Sequence, residues 1–527
     1  MPTVNGITYS DKFGICDTLT LHYEQACRAT SAVNNDAYHQ SILAAYTADP
    51  TKVPDVNRGG TLLTPVIGQT GDARYGTLDF IDWFMARLKH MGAGWYREWG
   101  AVPRYQYNLE LQPKNIPITV SESDDWSVVD RIVQRCEEYG IQFVLTLPWP
   151  WSSDWGASYP WYNQGAKNVT QIINNWFIPL ATFLANRYSD KTAFVQIDPG
   201  NEPQIMTGWT AADVAALQIA VYDAVKAVAP TMRVNLVAAF GGWLWNYTYD
   251  YDVEEWVYGS PLLNALNNAG GISKFDSHVT THLYPTDLVN TNTLNWPDYE
   301  MVGILEVLTA YSRNDVNVRF DEFDYGIFNG TPILQSDINN KASAIDTFKS
   351  QSDALARVDG YLYWRLLCRS TYNYGFNTGA SGEGGVFEFT STFPPSTDVG
   401  LFSHIVDLGL YTGPITKSDR LAGTYDEGSL ITLSEYRAAA NQPVTIYYAW
   451  NNPNPTTEYT GPIEAATGIL YWKGIDSLSN IEPIQSVKFL TSGVPIFTPS
   501  GGSGGILLTP SGQSGGKLMR KKNGSWQ

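Results

Sequence analysis

Between about residue 60 and residue 368, short β-rich runs alternate with stretches whose apolar residues recur at helical spacing. Thr61 to Ile67 reads as a strand. It is followed by an amphipathic helix, Leu78 to His90, in which Phe80, Ile81, Phe84, Met85 and Leu88 share one face. Gly94 to Trp99 is the next strand. The rhythm continues with helix Ser127 to Tyr139, strand Ile141 to Leu147, helix Val169 to Arg187, strand Ala193 to Ile197, helix Ala211 to Ala229 and strand Arg233 to Ala239. A helix around Val253 to Asn267, strand Ser277 to Leu283, helix Tyr299 to Tyr311, strand Val316 to Phe320, helix Ser336 to Ala356 and strand Gly360 to Arg365 complete it. Strands near residues 64, 96, 144, 195, 236, 280, 318 and 362, each followed by a helical pattern, predict an α/β chain of the (β/α)8, or TIM, barrel type rather than a doubly wound sheet.

The pattern changes after the eighth strand. Residues 370 to 430 read as loop-rich, and the alternating runs Val444 to Tyr448, Gly468 to Trp472 and Ser486 to Leu490, separated by Pro, Gly and Asn turns, predict a small antiparallel sheet or sandwich. The expected organisation is an N-terminal segment over 1–55, a catalytic barrel over 56–400, a β-rich accessory domain over 401–497 and a Gly/Ser-rich tail over 498–527. The first segment does not follow the barrel rhythm and either adds a strand to the accessory sheet or caps the barrel. The tail holds two copies of an eleven-residue unit, Thr498 to Leu508 and Thr509 to Met519, which suit either a flexible linker or a short hairpin for self-association or particle attachment.

Composition narrows the partners. The chain has 527 residues and a net charge of −18, and its only basic tract is Arg520-Lys521-Lys522, so a nucleic-acid partner is not expected. Charged residues are 16% and aromatic ones 13%, with 18 Trp and 32 Tyr; rings that pair an apolar face with a polar edge suit a neutral hydroxylated ligand. Four cysteines, Cys16, Cys27, Cys136 and Cys368, show neither metal-binding spacing nor a disulfide framework. No apolar run is long enough to span a membrane. No signal peptide is evident either, so an extracellular or cell-surface place would follow a removed leader or release by lysis, as for a phage particle, and a cytoplasmic place stays open. Asn168, Asn246 and Asn329 head glycosylation-type triplets that an Asn-rich chain produces by chance.

In a (β/α)8 enzyme the reacting groups stand at the carboxyl ends of the strands. The fourth strand ends Asp198-Pro199-Gly200-Asn201-Glu202-Pro203 and the seventh Arg319-Phe320-Asp321-Glu322-Phe323-Asp324. Two carboxylates facing each other across a barrel mouth, about 5 Å apart, suit acetal hydrolysis through a covalent intermediate: one stays protonated to release the leaving oxygen and the other attacks the anomeric carbon. Strand alternation expects Asp321 to point away from the lumen if Glu322 points in.

With Asn-Glu-Pro after strand four and a Glu at the end of strand seven, the chain resembles clan A of the glycoside hydrolases, the retaining (β/α)8 glycosidases. The resemblance covers about residues 60 to 368 and implies a retaining enzyme that cleaves β-glycosidic bonds of a polysaccharide or oligosaccharide. It makes Glu202 the general acid/base and Glu322 the nucleophile. Asn201 would bind the sugar 2-hydroxyl and Arg97 would orient the nucleophile, its cation holding Glu322 ionised. His282 and Tyr284 resemble the clan's His-x-Tyr, with the Tyr hydroxyl on the nucleophile, and Trp364 would floor the subsite at the scissile sugar. No cofactor is implied. Where many members carry an aromatic a few residues before Asn-Glu-Pro, this chain has Ile197-Asp198-Pro199-Gly200.

Other readings of the same residues stand beside these. Arg97 could pair with Glu98 or a distant acid. Trp149, Trp151 and Trp155 form a sugar platform or pack a loop. His278 and His282 fall on one strand face and so invite a metal, but the sequence places no carboxylate with them, and hydrogen-bonded barrel histidines are expected. The competing functions are a carbohydrate-binding structural protein, such as a particle-borne adhesin or depolymerase, and a barrel enzyme of another reaction class.

Overall fold

The computed structural model describes residues 10–17, 78–99, 126–148, 169–203, 209–237, 246–250, 255–276, 278–283, 296–323, 335–364, 401–411, 413–420, 423–426, 428–437 and 443–492, together with 3–4, 7–8, 19, 120–122, 367–368, 387–388, 397–398, 521–522 and 525–526. The chain divides into two units, Met1–Gly413 and Pro414–Gln527.

In the first unit eight parallel strands form one sheet: β1 (Phe13–Asp17), β2 (Trp95–Trp99), β3 (Gln142–Thr146), β4 (Phe194–Asp198), β5 (Arg233–Val234), β6 (His278–Leu283), β7 (Asn317–Phe323) and β8 (Val358–Trp364). The hydrogen-bonded order is β6-β7-β8-β1-β2-β3-β4-β5. A parallel bridge between Leu236, just past β5, and Val279 of β6 joins the two ends, and the Leu236 N–H donates to the His278 carbonyl at 3.1 Å. The sheet is therefore the (β/α)8 barrel that the sequence pattern predicts.

Seven of the eight strands fall where the sequence places them, and the first does not. The slot between β8 and β2 belongs to Phe13–Asp17, whose residues pair with Tyr361 to Trp364 on one side and Trp95 to Glu98 on the other. The expected strand at 61–67 lies outside the described residues, and its place in the sheet is taken. Part of the 1–55 segment thus neither joins the accessory sheet nor caps the barrel; it supplies a staple strand. Glycine makes the fit possible, because a Cβ on Gly14 would stand 2.6 Å from the Trp95 carbonyl oxygen.

The helices form for the reasons their sequences give. In α1 (Leu78–His90) the predicted apolar face is fully buried. In α2 (Ser127–Tyr139) Val128, Val129, Ile132, Val133 and Cys136 face inward, and Gly140 ends the helix at φ 68°. α3 (Ile178–Arg187) is entered through a helical turn at Val169–Ile172 and a π-turn at Ile173–Phe177. α4 (Ala211–Val228) starts from a capping box in which Thr210 and Asp213 satisfy each other's backbone N–H. The expected helix around 253–267 divides: Glu255–Gly259 pairs with Asn246–Asp250 as a hairpin, and α5 (Pro261–Asn268) begins only after the Ser260 cap, with Pro261 at its first position. α6 (Trp296–Ala310), α7 (Gln335–Ala354) and α8 (Leu401–Asp407) follow, the last inside a stretch read as loop.

The second unit is β-rich, as expected. Its main sheet has the order β10-β15-β14-β12-β13, formed by β10 (Gly423–Asp426), β12 (Val444–Trp450), β13 (Thr457–Glu458), β14 (Gly468–Asp476) and β15 (Gln485–Ser492). A two-stranded pair, β9 (Ile415–Ser418) with β11 (Leu433–Arg437), accompanies it. Alternation sends Ile446, Leu470, Trp472, Val487 and Phe489 to one face, where they pack with Ile431 and Leu433. Among the described residues, no helix is long and apolar enough to cross a membrane.

Candidate active site

Side chains from strands that are not neighbours meet only across the lumen, and several do so at the carboxyl ends. Arg97 of β2 is the hub. Its Nη1 donates to Glu322 Oε1 of β7 at 2.7 Å, its Nε to Asp198 Oδ2 of β4 at 3.0 Å, and its Nη2 to Asn201 Oδ1 at 2.7 Å. Cys16 of β1 joins it, with Sγ 3.2 Å from Arg97 Nη1 and 3.8 Å from Glu322 Oε1. Arg97 does not take Glu98 as a partner in this network: Glu98 accepts from the Tyr96 hydroxyl and from the Leu19 N–H. Burial alone would lower the Arg97 pKa, but Cys16, Asp321, Asp198 and Glu322 together raise it, so the guanidinium is permanently charged.

The expectation that Asp321 points away from Glu322's side is overturned. Asp321 Oδ2 lies 3.3 Å from Arg97 Nε, and its other oxygen meets Arg319. Arg319 crosses the lumen as well, donating to Gln196 Oε1 at 2.5 Å and standing 5.0 Å over the Trp95 ring. The reason is an irregular register. His282 pairs with Glu322 directly after Thr281 pairs with Phe320, so β7 carries one extra residue, and neighbouring side chains at a bulge escape strict alternation. Arg319 and Asp321 share the lumen face by ordinary alternation, and the bulge adds Glu322. Burial pushes the Asp321 carboxyl up, against the lowering pull of Arg319 and Arg97.

Glu202 comes from the turn after β4, with its backbone in the left-handed region at φ 44°. A non-glycine residue there costs roughly 1–2 kcal/mol, which the surrounding structure must over-determine. Its Oε1 is 2.7 Å from His282 Nδ1, and the same nitrogen is 3.5 Å from Glu322 Oε2. One ligand atom each of Glu202, His282 and Glu322 lie within 4.8 Å of one another. Burial would lower the His282 pKa, but Glu322 and Glu202 raise it above the ordinary value.

By residue type this trio could hold a divalent ion, and two carboxylates do accompany His282, contrary to the sequence expectation. Ligand atoms around one ion with bonds of about 2.0–2.2 Å are spaced by roughly 3 Å or more. The 2.7 Å contact of His282 with Glu202 is instead a hydrogen bond, and the Arg97 guanidinium stands against Glu322. His278, at the other end of β6, binds Gln196 through Nδ1 at 2.7 Å and Asp359 through Nε2, as a hydrogen-bonded barrel histidine.

Of the residues singled out from sequence, the structure brings Arg97, Asn201, Glu202, His282 and Glu322 together. Trp364 ends β8 beside Cys16 in the register. Trp149, Trp151, Trp155 and Tyr284 lie outside the described residues. Cys16, Asp198 and Arg319 were not anticipated as neighbours of the site. Asp198 carried a signal, since an acid just before Asn-Glu-Pro departs from the usual aromatic, whereas Cys16 carried none without the position of β1.

No protein-family model matches the chain, and no curated protein does. Among solved structures the chain is similar to β-glucuronidase 2 of Bacteroides uniformis, over 79% of this chain and 44% of that one, at 11% identity and a TM-score of 0.40. It is also similar to the endo-β-1,4-mannanase of Thermotoga petrophila, over 79% of this chain and 95% of that one, at 12% identity and a TM-score of 0.39. For an exo-β-1,4-mannosidase of an Opitutaceae bacterium the values are 63%, 55%, 17% and 0.42. The chain spans about half the length of the β-glucuronidase structures it matches.

Proposed function

We propose that the chain is a retaining glycoside hydrolase that cleaves β-glycosidic bonds by double displacement. The observation that carries this reading is the approach of Glu202 and Glu322, one after β4 and one on β7, with oxygens within 4.8 Å. Retaining enzymes hold their two carboxyl groups about 5–5.5 Å apart, a separation that an approach of one oxygen of each within 4.8 Å permits. Glu322 attacks the anomeric carbon as the glycosidic C–O bond breaks, and Glu202 gives its proton to the leaving oxygen. Glu202 then takes a proton from water, whose oxygen attacks the same carbon and displaces Glu322. Arg97 at 2.7 Å is a charge-assisted donor to the attacking carboxylate. With its Oδ1 held by Arg97, Asn201 offers the amide nitrogen to the sugar 2-hydroxyl. The same reading assigns Tyr284, Trp364, Trp149 and Trp151 to substrate binding. The substrate class is a polysaccharide or oligosaccharide, and no cofactor takes part.

The test uses a panel of 2,4-dinitrophenyl β-glycosides with the full chain. Glu322→Gln and Glu202→Ala should each lower turnover of a natural polymer by orders of magnitude. Azide should restore the Glu202→Ala variant only, giving a β-glycosyl azide. Unchanged turnover in either variant, or an inverted product, refutes the reading.

A further inference from the structure

We propose that Arg97, Asp198, Arg319 and Asp321 act as one positioning unit beneath the carboxylate pair, fixing the direction of Glu322 and Asn201 and setting the net charge that Glu322 meets. This rests on the glycosidase reading. The four side chains alternate in sign around a closed ring. Arg97 Nε meets Asp198 Oδ2 at 3.0 Å, Asp198 Oδ1 meets Arg319 Nη2 at 4.0 Å, Arg319 Nε meets Asp321 Oδ1, and Asp321 Oδ2 returns to Arg97 Nε at 3.3 Å. All four side chains have 0% exposure, and the formal charge of the ring is zero.

Asp198 and Arg319 are tied outward as well. Asp198 accepts from Thr146 Oγ1 at 3.0 Å and from the Asn235 amide, and Arg319 is held by Gln196. A Cβ on Gly360 would stand 2.7 Å from the Arg319 side chain, so β8 leaves the room this cation needs. A guanidinium is planar; once the ring holds its Nε edge, the directions of Nη1 and Nη2 follow, and these are the atoms on Glu322 and Asn201. The ring therefore orients the attacking oxygen without touching substrate, and its four members other than Arg97's outer nitrogens are positioning groups.

Its second effect is electrostatic. Unshared, Arg97 would hold Glu322 as a full ion pair and blunt its attack. Asp198 and Asp321 divide that charge. Among the described residues, the titratable and charged groups around Glu322 include Cys16 on β1, Arg97 on β2 and His282 on β6, with Glu202 on the far side of His282 and Asp198, Arg319 and Asp321 in the ring behind Arg97. Burial raises the Cys16 thiol, which is neutral there.

Asp198→Asn keeps the shape and leaves the ring with one excess positive charge. On the hydrolysed dinitrophenyl glycoside, the acid limb of kcat/KM should move about one pH unit lower, a tenfold change in proton affinity. The same variant should lower kcat about tenfold with KM changed less than about threefold. Asp321→Asn should act in the same direction, and Asp346→Asn, an exposed position on α7, should leave both quantities unchanged. An unmoved acid limb in the two ring variants overturns the proposal. A second arm needs no turnover: thermal unfolding of Asp198→Asn, Glu322→Gln and the double variant. With the ring positive, the Glu322 charge is worth more, so the double variant should lose more in Tm than the two single losses together; Asp321→Asn replaces Asp198→Asn if the latter does not fold. Additive losses overturn the proposal. A wild-type chain that hydrolyses none of the glycosides refutes the glycosidase reading, and the unfolding cycle still decides the ring.

Discussion

Replacing Arg97 by Met separates what the guanidinium's volume does from what its charge does. The side chain is buried and stands 3.0 Å from Asp198, 3.3 Å from Asp321 and 2.7 Å from Glu322. At an effective dielectric constant of about 20, each pair is worth roughly 5 kcal/mol before desolvation. Removing the buried guanidinium also removes its own desolvation cost of several kcal/mol, and losing one partner of a buried charge group costs about 3–5 kcal/mol in net terms. In a unit this large that corresponds to roughly 3–6 °C in the Tm of the barrel transition. The loss depends on pH with a definite sign. Asp321 is already raised by burial, and without Arg97 it rises further. A carboxyl whose folded pKa exceeds its unfolded value near 3.9 contributes stability below that unfolded value and loses the contribution as pH rises through the folded pKa. The variant should therefore recover part of its deficit as pH falls from 8 to 5, by up to about 1.4 kcal/mol per unit for one proton. Calorimetry of both proteins at pH 8, 6.5 and 5 measures it. A Tm deficit under 2 °C, or one that does not narrow on acidification, refutes the claim that this cation balances buried acids.

Three further outcomes follow from other parts of the molecule. Gly14→Ala places a methyl 2.6 Å from the Trp95 carbonyl oxygen and should cost about 1–3 kcal/mol in unfolding experiments; an unchanged Tm would show that β1 and β2 are not this close. His282→Gln removes a ring whose pKa is raised by Glu322 and Glu202 against burial. The stability it contributes is full below its unfolded pKa near 6.5 and disappears as pH rises through the folded value, so the gap between wild type and variant should be wider at pH 6 than at pH 9. In the second unit, Phe489 is fully buried with ring centroids of Tyr425 and Trp450 at 5.6 and 5.7 Å. Phe489→Ala should cost that unit about 3–5 kcal/mol by urea unfolding followed with tryptophan fluorescence, and a cost under 1 kcal/mol would contradict this packing.

The barrel was legible because most of its strands are short apolar runs followed along the chain by a helical stretch, as at Gln142–Thr146 before the helical stretch from Val169 and Phe194–Asp198 before Ala211–Val228. β1 escaped because Phe13-Gly14-Ile15-Cys16-Asp17 is five residues with no helix pattern behind it; only its position between β8 and β2 identifies it. The carboxylate pair was readable from two motifs on two strands. The side-chain direction at Asp321 was not, since a bulge is decided by the register of neighbouring strands and not by the residues that form it. Likewise His282 shows its carboxylate partners only after strands four, six and seven close on one another.

The late pairing of β1 has a consequence for how the protein is made. Phe13–Asp17 leaves the ribosome before every other strand of the barrel, yet one of its two edges is completed only by Tyr361 to Trp364. At about 5–20 residues per second, that wait is on the order of half a minute. During synthesis an apolar strand with a free edge must be kept from wrong partners, and the contact that finishes the cylinder has the largest sequence separation in the sheet, the kind that slows folding most. Pulse-labelled nascent chains should gain protease resistance in the barrel only once β8 has emerged.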